Sequence, residues 1–154
     1  VAIKEGYDGP TPSGNSVAAL NLIRLSELTG EEEHKLIAER ILKWAAKDID
    51  RQPSAHAVML VALDLLLNGV REIVVTAPSE GGAGEMKSEI FREFVPDKVL
   101  LVATAATYDE LSKISGLLED RAPGRKARAF VCQNFACKLP ADSTEALRAQ
   151  LASR

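Results

Sequence analysis

Two short stretches of this sequence gather residue types that do chemistry when a fold brings them together. The first, Tyr7-Asp8-Gly9-Pro10-Thr11-Pro12-Ser13-Gly14-Asn15-Ser16, groups a carboxylate, hydroxyls and an amide just ahead of an expected helix N-terminus. Backbone N–H groups point outward at such a place, so the loop is a candidate surface for a polar ligand. Turns and helix caps use the same residue types, and that plainer account stands beside it. The second stretch carries the two cysteines, Cys132 and Cys137, with Gln133-Asn134-Phe135-Ala136 between them. This spacing at a strand end suits a disulfide, a redox pair or half a metal site, and packed, reduced side chains are the default. A zinc site takes four ligands, and the histidines, His34 and His56, lie in another part of the chain without ligand spacing. No metal is expected.

Two further groupings are weaker. Pro78-Ser79-Glu80-Gly81-Gly82-Ala83-Gly84 follows an expected strand, where α/β folds often hold phosphates. It matches neither G-x-G-x-x-G nor G-x-x-x-x-G-K-[ST], and Glu80 and Glu85 would repel a phosphate, so a flexible loop is expected and no cofactor. His56 and Asp64 are eight residues apart on one helix, about 12 Å of rise, and do not touch. His56 reads as a satisfied residue of an inner helix, with a cavity-facing role open.

The elements that must position these groups follow from composition and periodicity. With 154 residues and 46% hydrophobic content, the chain has room for one ordinary domain or two small ones. Nineteen basic against 22 acidic residues give a charge of −3, and no stretch interleaves Lys and Arg with aromatics, so no nucleic-acid partner is expected. The longest apolar run, Ala57 to Leu63 and then Leu65 to Leu67, is short of the roughly 20 residues that cross a bilayer. The cysteine content is ordinary for a reducing compartment, which points to the cytoplasm, and a start at Val1 suggests a cut or trimmed product.

Capped by Ser13, Asn15 or Ser16, a first helix should run to about Leu28, buried on most sides, with Asn21, Arg24 and Glu27 as its polar stripe. Thr29 and Glu32 have capping-box spacing for a second helix, about Glu31 to Ile49, whose inner face should be Ile37, Ile41 and Trp44. A third, about Ser54 to Asn68, is apolar nearly all round. Buried, half-exposed and buried helices in succession suit a double-layered array, which three helices cannot complete, so partner helices outside this chain are implied. From Val70 strands and helices alternate: Glu72 to Thr76, Gly84 to Val95, Lys98 to Ala103, Tyr108 to Leu118, Ala127 to Cys132 and Ser143 to Leu151. Continuous apolar runs predict strands covered on both faces and paired in parallel through helical crossovers. Met86, Ile90 and Phe94, then Leu111, Ile114 and Leu118, should cover them.

Residues 7 to 22, Tyr-Asp-Gly-Pro-Thr-Pro-Ser-Gly-Asn-Ser-Val-Ala-Ala-Leu-Asn-Leu, and 130 to 140, Phe-Val-Cys-Gln-Asn-Phe-Ala-Cys-Lys-Leu-Pro, resemble the C-terminal region of the spermatogenesis-associated, thioredoxin-domain-containing protein family. The resemblance covers essentially the whole chain. It implies a parent protein with a thioredoxin-like domain followed by a six-hairpin α/α toroid. Residues 1–69 would then be C-terminal helices of the toroid, while the alternation of strands and helices by itself makes 70–154 a small three-stranded, mainly parallel α/β unit. It carries Asp8, Ser13, Gly14 and Asn15 onto the family's Asp-Gly-x-x-Pro-Ser-Gly-Asn-Ser segment, which would face the toroid cavity, and Cys132 and Cys137 onto its Val-Cys-x-Asn-Phe-x-Cys segment. No reaction is firmly assigned to the family, so no catalytic residue transfers.

Three functional expectations follow. The first is a structural, cavity-forming fragment whose partner is the remainder of the parent chain. The second is part of a carbohydrate-handling enzyme, for which Asp8 and Asp64 are the local carboxylate candidates and a sugar-like molecule the ligand. The third is a redox accessory that uses Cys132 and Cys137.

Overall fold

The computed structural model describes residues 5–134 and 136–152. The chain divides into two compact units, one ending at Gly69 and the other beginning at Val70.

In the helical unit, Ser13 caps α1 (Gly14–Thr29): its hydroxyl accepts from Ser16 N at 3.1 Å. Gly30, at φ 77°, ends the helix in the left-handed region and donates its N–H to Ser26 O at 2.8 Å. The buried face of α1 is Ser16, Ala19, Ile23 and Ser26, while Val17 and Leu25 are exposed, so the helix is not buried on most sides. The expected capping box does not form. Glu31 occupies the cap of α2 (Glu32–Arg51) without a side-chain bond, and Thr29 Oγ1 instead accepts from Glu31 N and donates to Leu25 O. The inner face of α2 is Ala38, Leu42, Ala45 and Ile49. It is turned one residue from the expected Ile37, Ile41 and Trp44, because the alanines let α1 and α2 pack together and push the indole outward. A 3-10 turn (Pro53–Ala55) leads to α3 (Ala57–Asn68), which buries Met59, Ala62 and Leu65.

The second unit is built on β1 (Arg71–Ala77), β2 (Lys98–Thr104), β3 (Arg128–Gln133) and β4 (Ala136–Cys137), in sheet order β2-β1-β3-β4. Its helices are α4 (Glu80–Arg92), α5 (Tyr108–Leu111) and α6 (Thr144–Ala152). β1 pairs in parallel with β2, while β1 with β3 and β3 with β4 are antiparallel. The expected three-stranded, mainly parallel sheet is therefore corrected to a four-stranded mixed one among the described residues. The cause is the connection after β2. Instead of a helix through Leu118, the chain makes the four-residue α5 and a 3-10 turn (Gly116–Leu118). Four residues rise only about 6 Å, too little to recross the sheet, so β3 starts at the end where β2 stops and runs back.

Strand alternation splits the core between the two faces of this sheet. Ile73, Val75, Ala129 and Val131 pack with Met86 and Ile90 of α4 and Leu147 and Leu151 of α6. On the other face Val74, Ala103 and Phe130 pack with Leu118, Tyr108 and Leu111. Of the expected covering stripes, Phe94 is 89% exposed and Ile114 is also exposed, because α4 stops at Arg92 and α5 at Leu111. α4 also starts earlier than expected. Ser79 caps it at Gly82 N, 3.4 Å away, and the glycine-rich segment is its first turns rather than a loop.

Candidate functional site

Asp8 straps the opening loop to α3. Its Oδ2 accepts from Val58 N at 2.9 Å and Met59 N at 3.2 Å, two N–H groups of the first turn of α3 that have no helical partner. Oδ1 accepts from Ser13 N at 2.8 Å. Burial pushes the Asp8 carboxyl up, but the bonds from Ser13, Ser16, Met59 and Val58 together outweigh it and hold the carboxyl below its ordinary value. The backbone of Asp8 adds a bond to Ala55 O at 2.7 Å. Ser13 is buried, and its hydroxyl sits 2.7 Å from that of Ser16. Asn15 donates to Glu5 O at 2.7 Å, and Gly14 is exposed at the helix start.

His56 is buried at the cap of α3, with Nδ1 2.6 Å from Gly6 O. A carbonyl only accepts, so Nδ1 carries the proton. Asp64 is exposed on the same helix and accepts from Asn68 Nδ2 at 2.7 Å. Asp8 and Asp64 are thus held in separate local networks, and both Asp8 oxygens face backbone donors of the fold. A different concavity of about 420 Å³ runs between α2 and α3. It is apolar at its base, on Leu42, Ala46, Ile49, Leu63 and Leu66, and is rimmed by Glu39, Lys43 and Asp50.

In the second unit the cysteines are cross-strand partners in the β3–β4 ladder and are joined by a disulfide, not left as two reduced side chains. Cys132 is 2% exposed, and Cys137 lies at the surface. Arg121 Nη2 lies 3.3 Å from each sulfur. Its Nη1 donates to Leu117 O at 2.9 Å, and its guanidinium sits 5.2 Å from the centre of the Phe130 ring. A concavity of about 300 Å³ beside the disulfide is lined by Arg71, Gln133, Ala136 and Lys138.

Arg121 escaped sequence reasoning because nothing in its local sequence announces a partner eleven residues away. The same holds for Glu89, buried on α4, which accepts from Arg148 Nε of α6 at 2.5 Å and pairs with Arg92 at 3.6 Å. The Arg148 bond, working against burial and helped by the charges of Arg148 and Arg92, holds the Glu89 carboxyl below its usual range. No group of His, Cys, Asp or Glu among the described residues is arranged to hold a metal ion. No helix among them is long and apolar enough to cross a membrane.

No family model and no solved structure matches the chain. Among curated proteins it is similar to spermatogenesis-associated protein 20 of Homo sapiens, 29% identical over 140 residues, and to that of Rattus norvegicus at the same identity. An uncharacterised Caenorhabditis elegans protein is 26% identical over 148 residues. These alignments take in 90% to 96% of this chain, yet the chain spans only 18% to 20% of the length of these relatives.

Proposed function

We propose that this chain is the C-terminal part of a longer, cytoplasmic, thioredoxin-domain-containing protein, in which it is a structural, cavity-forming segment without turnover of its own. The observation that carries this is the outward apolar side of the helical unit: Val17 and Leu25 on α1, Leu36 on α2, and Val61 and Leu67 on α3 are all exposed, Leu67 by 72%. Covering a Leu or Val is worth about 1.5–3 kcal/mol, so five such residues on three helices favour helices supplied from elsewhere. In the proposed setting they meet the rest of an α/α toroid. The relatives, about five times as long as this chain, leave room for one. The commitment of both Asp8 oxygens to backbone donors favours this scaffold reading over a glycosidase-like one, which needs a carboxylate free to meet substrate. A polar or sugar-like ligand would reach the loop through exposed Gly14 and Thr11 instead.

The test places Leu25→Lys and Leu67→Lys separately in the longer gene product and in this chain alone. Each should cost the longer protein about 1.5–3 kcal/mol or more and leave this chain within about 0.5 kcal/mol. Equal, small effects in both would overturn the proposal.

A further inference from the structure

The geometry points to Cys132 and Cys137 as a redox-active pair: an incoming dithiol attacks Cys137, and Arg121 holds the Cys132 thiolate that leaves. This goes beyond the scaffold reading and does not rest on it, because every group involved belongs to the unit that begins at Val70.

Thiol–disulfide exchange needs one reachable sulfur and a leaving thiolate that its surroundings tolerate. The two sulfurs here are unequal in that way. Cys137 lies at the surface beside the concavity on Gln133, Ala136, Arg71 and Lys138; Arg71 is buried and paired with Asp97 at 3.5 Å, and the exposed Lys138 is the cation that favours the approach of a thiolate. Cys132 is buried on β3. Burial alone would penalise a thiolate there, but the Arg121 guanidinium is already 3.3 Å from its sulfur. Arg121 needs no rearrangement to serve, since Leu117 O and the face of Phe130 hold it in place.

A disulfide that only stiffened the fold would be oddly placed. It closes a loop with a sequence separation of only 5, and short loops gain least from a cross-link. The hairpin is also held without it. Lys138 N donates to Val131 O at 3.0 Å, Lys138 Nζ to Gln150 O at 2.7 Å, and Gln150 Nε2 to Leu139 O at 2.8 Å. These bonds keep the two sulfurs opposed after reduction, so the pair is set to reoxidise.

The exchange balances in two displacements. One thiolate of the dithiol attacks Cys137 Sγ; the new sulfur–sulfur bond forms as the Cys132–Cys137 bond breaks, and the electron pair leaves on Cys132. The second thiolate of the dithiol then attacks its own partner sulfur in the mixed disulfide, closing the dithiol's disulfide and releasing Cys137 as a thiolate. Two electrons pass to the pair and the dithiol is oxidised; the protons its thiols gave to solvent on ionising are balanced by a proton taken up from solvent at Cys137, the other staying in solvent while Cys132 remains a thiolate beside Arg121.

The experiment uses the full chain with dithiothreitol as the dithiol and glutathione, at equal thiol concentration, as a monothiol control. Free thiols are counted by alkylation and mass after an acid quench, while far-ultraviolet circular dichroism follows the fold. Two thiols should appear with dithiothreitol while the fold persists, and should vanish again once dithiothreitol is removed and oxidised glutathione is added, two glutathione thiols being released. Given oxidised glutathione instead, Cys132→Ser should form a mixed disulfide at Cys137, with one glutathione released as a thiol. In the reduced Cys137→Ser chain, thiolate absorbance followed against pH should show Cys132 ionising at least about one unit below the free-thiol value of about 8.5. Adding Arg121→Leu should lower the thiolate fraction roughly tenfold at a pH below both midpoints, as a one-unit shift does. Arg121→Lys should restore most of it. Thiols that appear only when the chain is unfolded would overturn the proposal, as would a Cys132 midpoint at or above the free-thiol value, or a midpoint that Arg121→Leu does not move.

Discussion

The helical unit and the α/β unit differ in how far their own elements cover their larger apolar side chains. Among the buried positions of the first are Ala19, Ala38, Ala45, Ala55 and Ala62, while Val17, Leu25, Leu36, Val61 and Leu67 are exposed. In the second, Ile73, Val74, Val75, Ile90, Leu118 and Leu147 are inside, and of its exposed large side chains Phe94, Ile114 and Leu139 lie outside its helices and strands while Phe91 stands on α4. Helices that meet through alanine can pack closely and leave their larger side chains for other neighbours. A sheet covered on both faces spends its large side chains on itself. The same 154 residues therefore hold one unit whose larger side chains gather mostly on its sheet and one that, beside buried Ile23, Leu42, Ile49, Met59 and Leu65, also sets apolar side chains outward on all three of its helices.

The contrast breaks first at the sheet centre. Ile73→Ala removes a fully buried side chain from the α4–α6 face and should cost about 2–5 kcal/mol in urea unfolding. Leu67→Ala, on the outward side of α3, should stay within about 0.5 kcal/mol. If the two costs were alike, the distinction between the units would be false. Ala19→Leu tests the other half of the claim, since it adds bulk where α1 has no exposed surface; a loss of about 1–3 kcal/mol is expected from overpacking, and a gain would mean that the small-residue face conceals a void.

A smaller effect separates the strap from the packing. Asp8→Asn keeps one acceptor but places an amide donor against backbone N–H groups, and should cost about 1–2 kcal/mol near neutral pH. The Asp8 carboxyl is held below its ordinary 3.8 in the folded chain, so the stability it contributes is fully present above that value and is lost as pH falls through the lowered one. Melting temperature should fall on acidification more steeply in the wild type than in Asp8→Asn. Parallel curves would show that the carboxylate charge does not hold the loop to α3.

How much of this the sequence discloses depends on whether a feature is local. The apolar runs at Ile73 to Val75 and Val99 to Val102 mark β1 and β2 almost to their ends, and Ser13 marks the start of α1, because strand burial and capping are set by neighbours in the chain. The inner face of α2 is not legible, because periodicity ranks bulky residues, and Ala38 and Ala45 carry no such signal although they decide which side α1 meets. Strand direction is hidden for a non-local reason: Ile114 has helical spacing with Leu111 and Leu118, yet the helix stops at Leu111 and β3 runs back beside β1. The Asp8 loop is legible as a cap-rich segment, but two of the three bonds its carboxylate accepts reach across fifty residues to α3. Cys132 and Cys137 are conspicuous by type; Arg121, which faces both, is not.

The finest distinction between the units lies in the backbone of two glycines. Gly30 ends α1 at φ 77°, and a Cβ there would meet nothing within 4 Å, so the whole penalty of Gly30→Ala is conformational, about 1 kcal/mol of destabilisation. Gly84 also has open space around a Cβ, but it sits inside α4 with no positive φ. Alanine there removes backbone freedom from the unfolded chain without strain in the folded one, and Gly84→Ala should stabilise by about 0.5–1 kcal/mol. Equal space and opposite sign make the pair a test of backbone conformation alone. A neutral Gly84→Ala would mean that the Gly81-Gly82-Ala83-Gly84 segment is not held as helix in solution, and that the α/β unit is looser at the N-terminal end of α4 than its packed sheet requires.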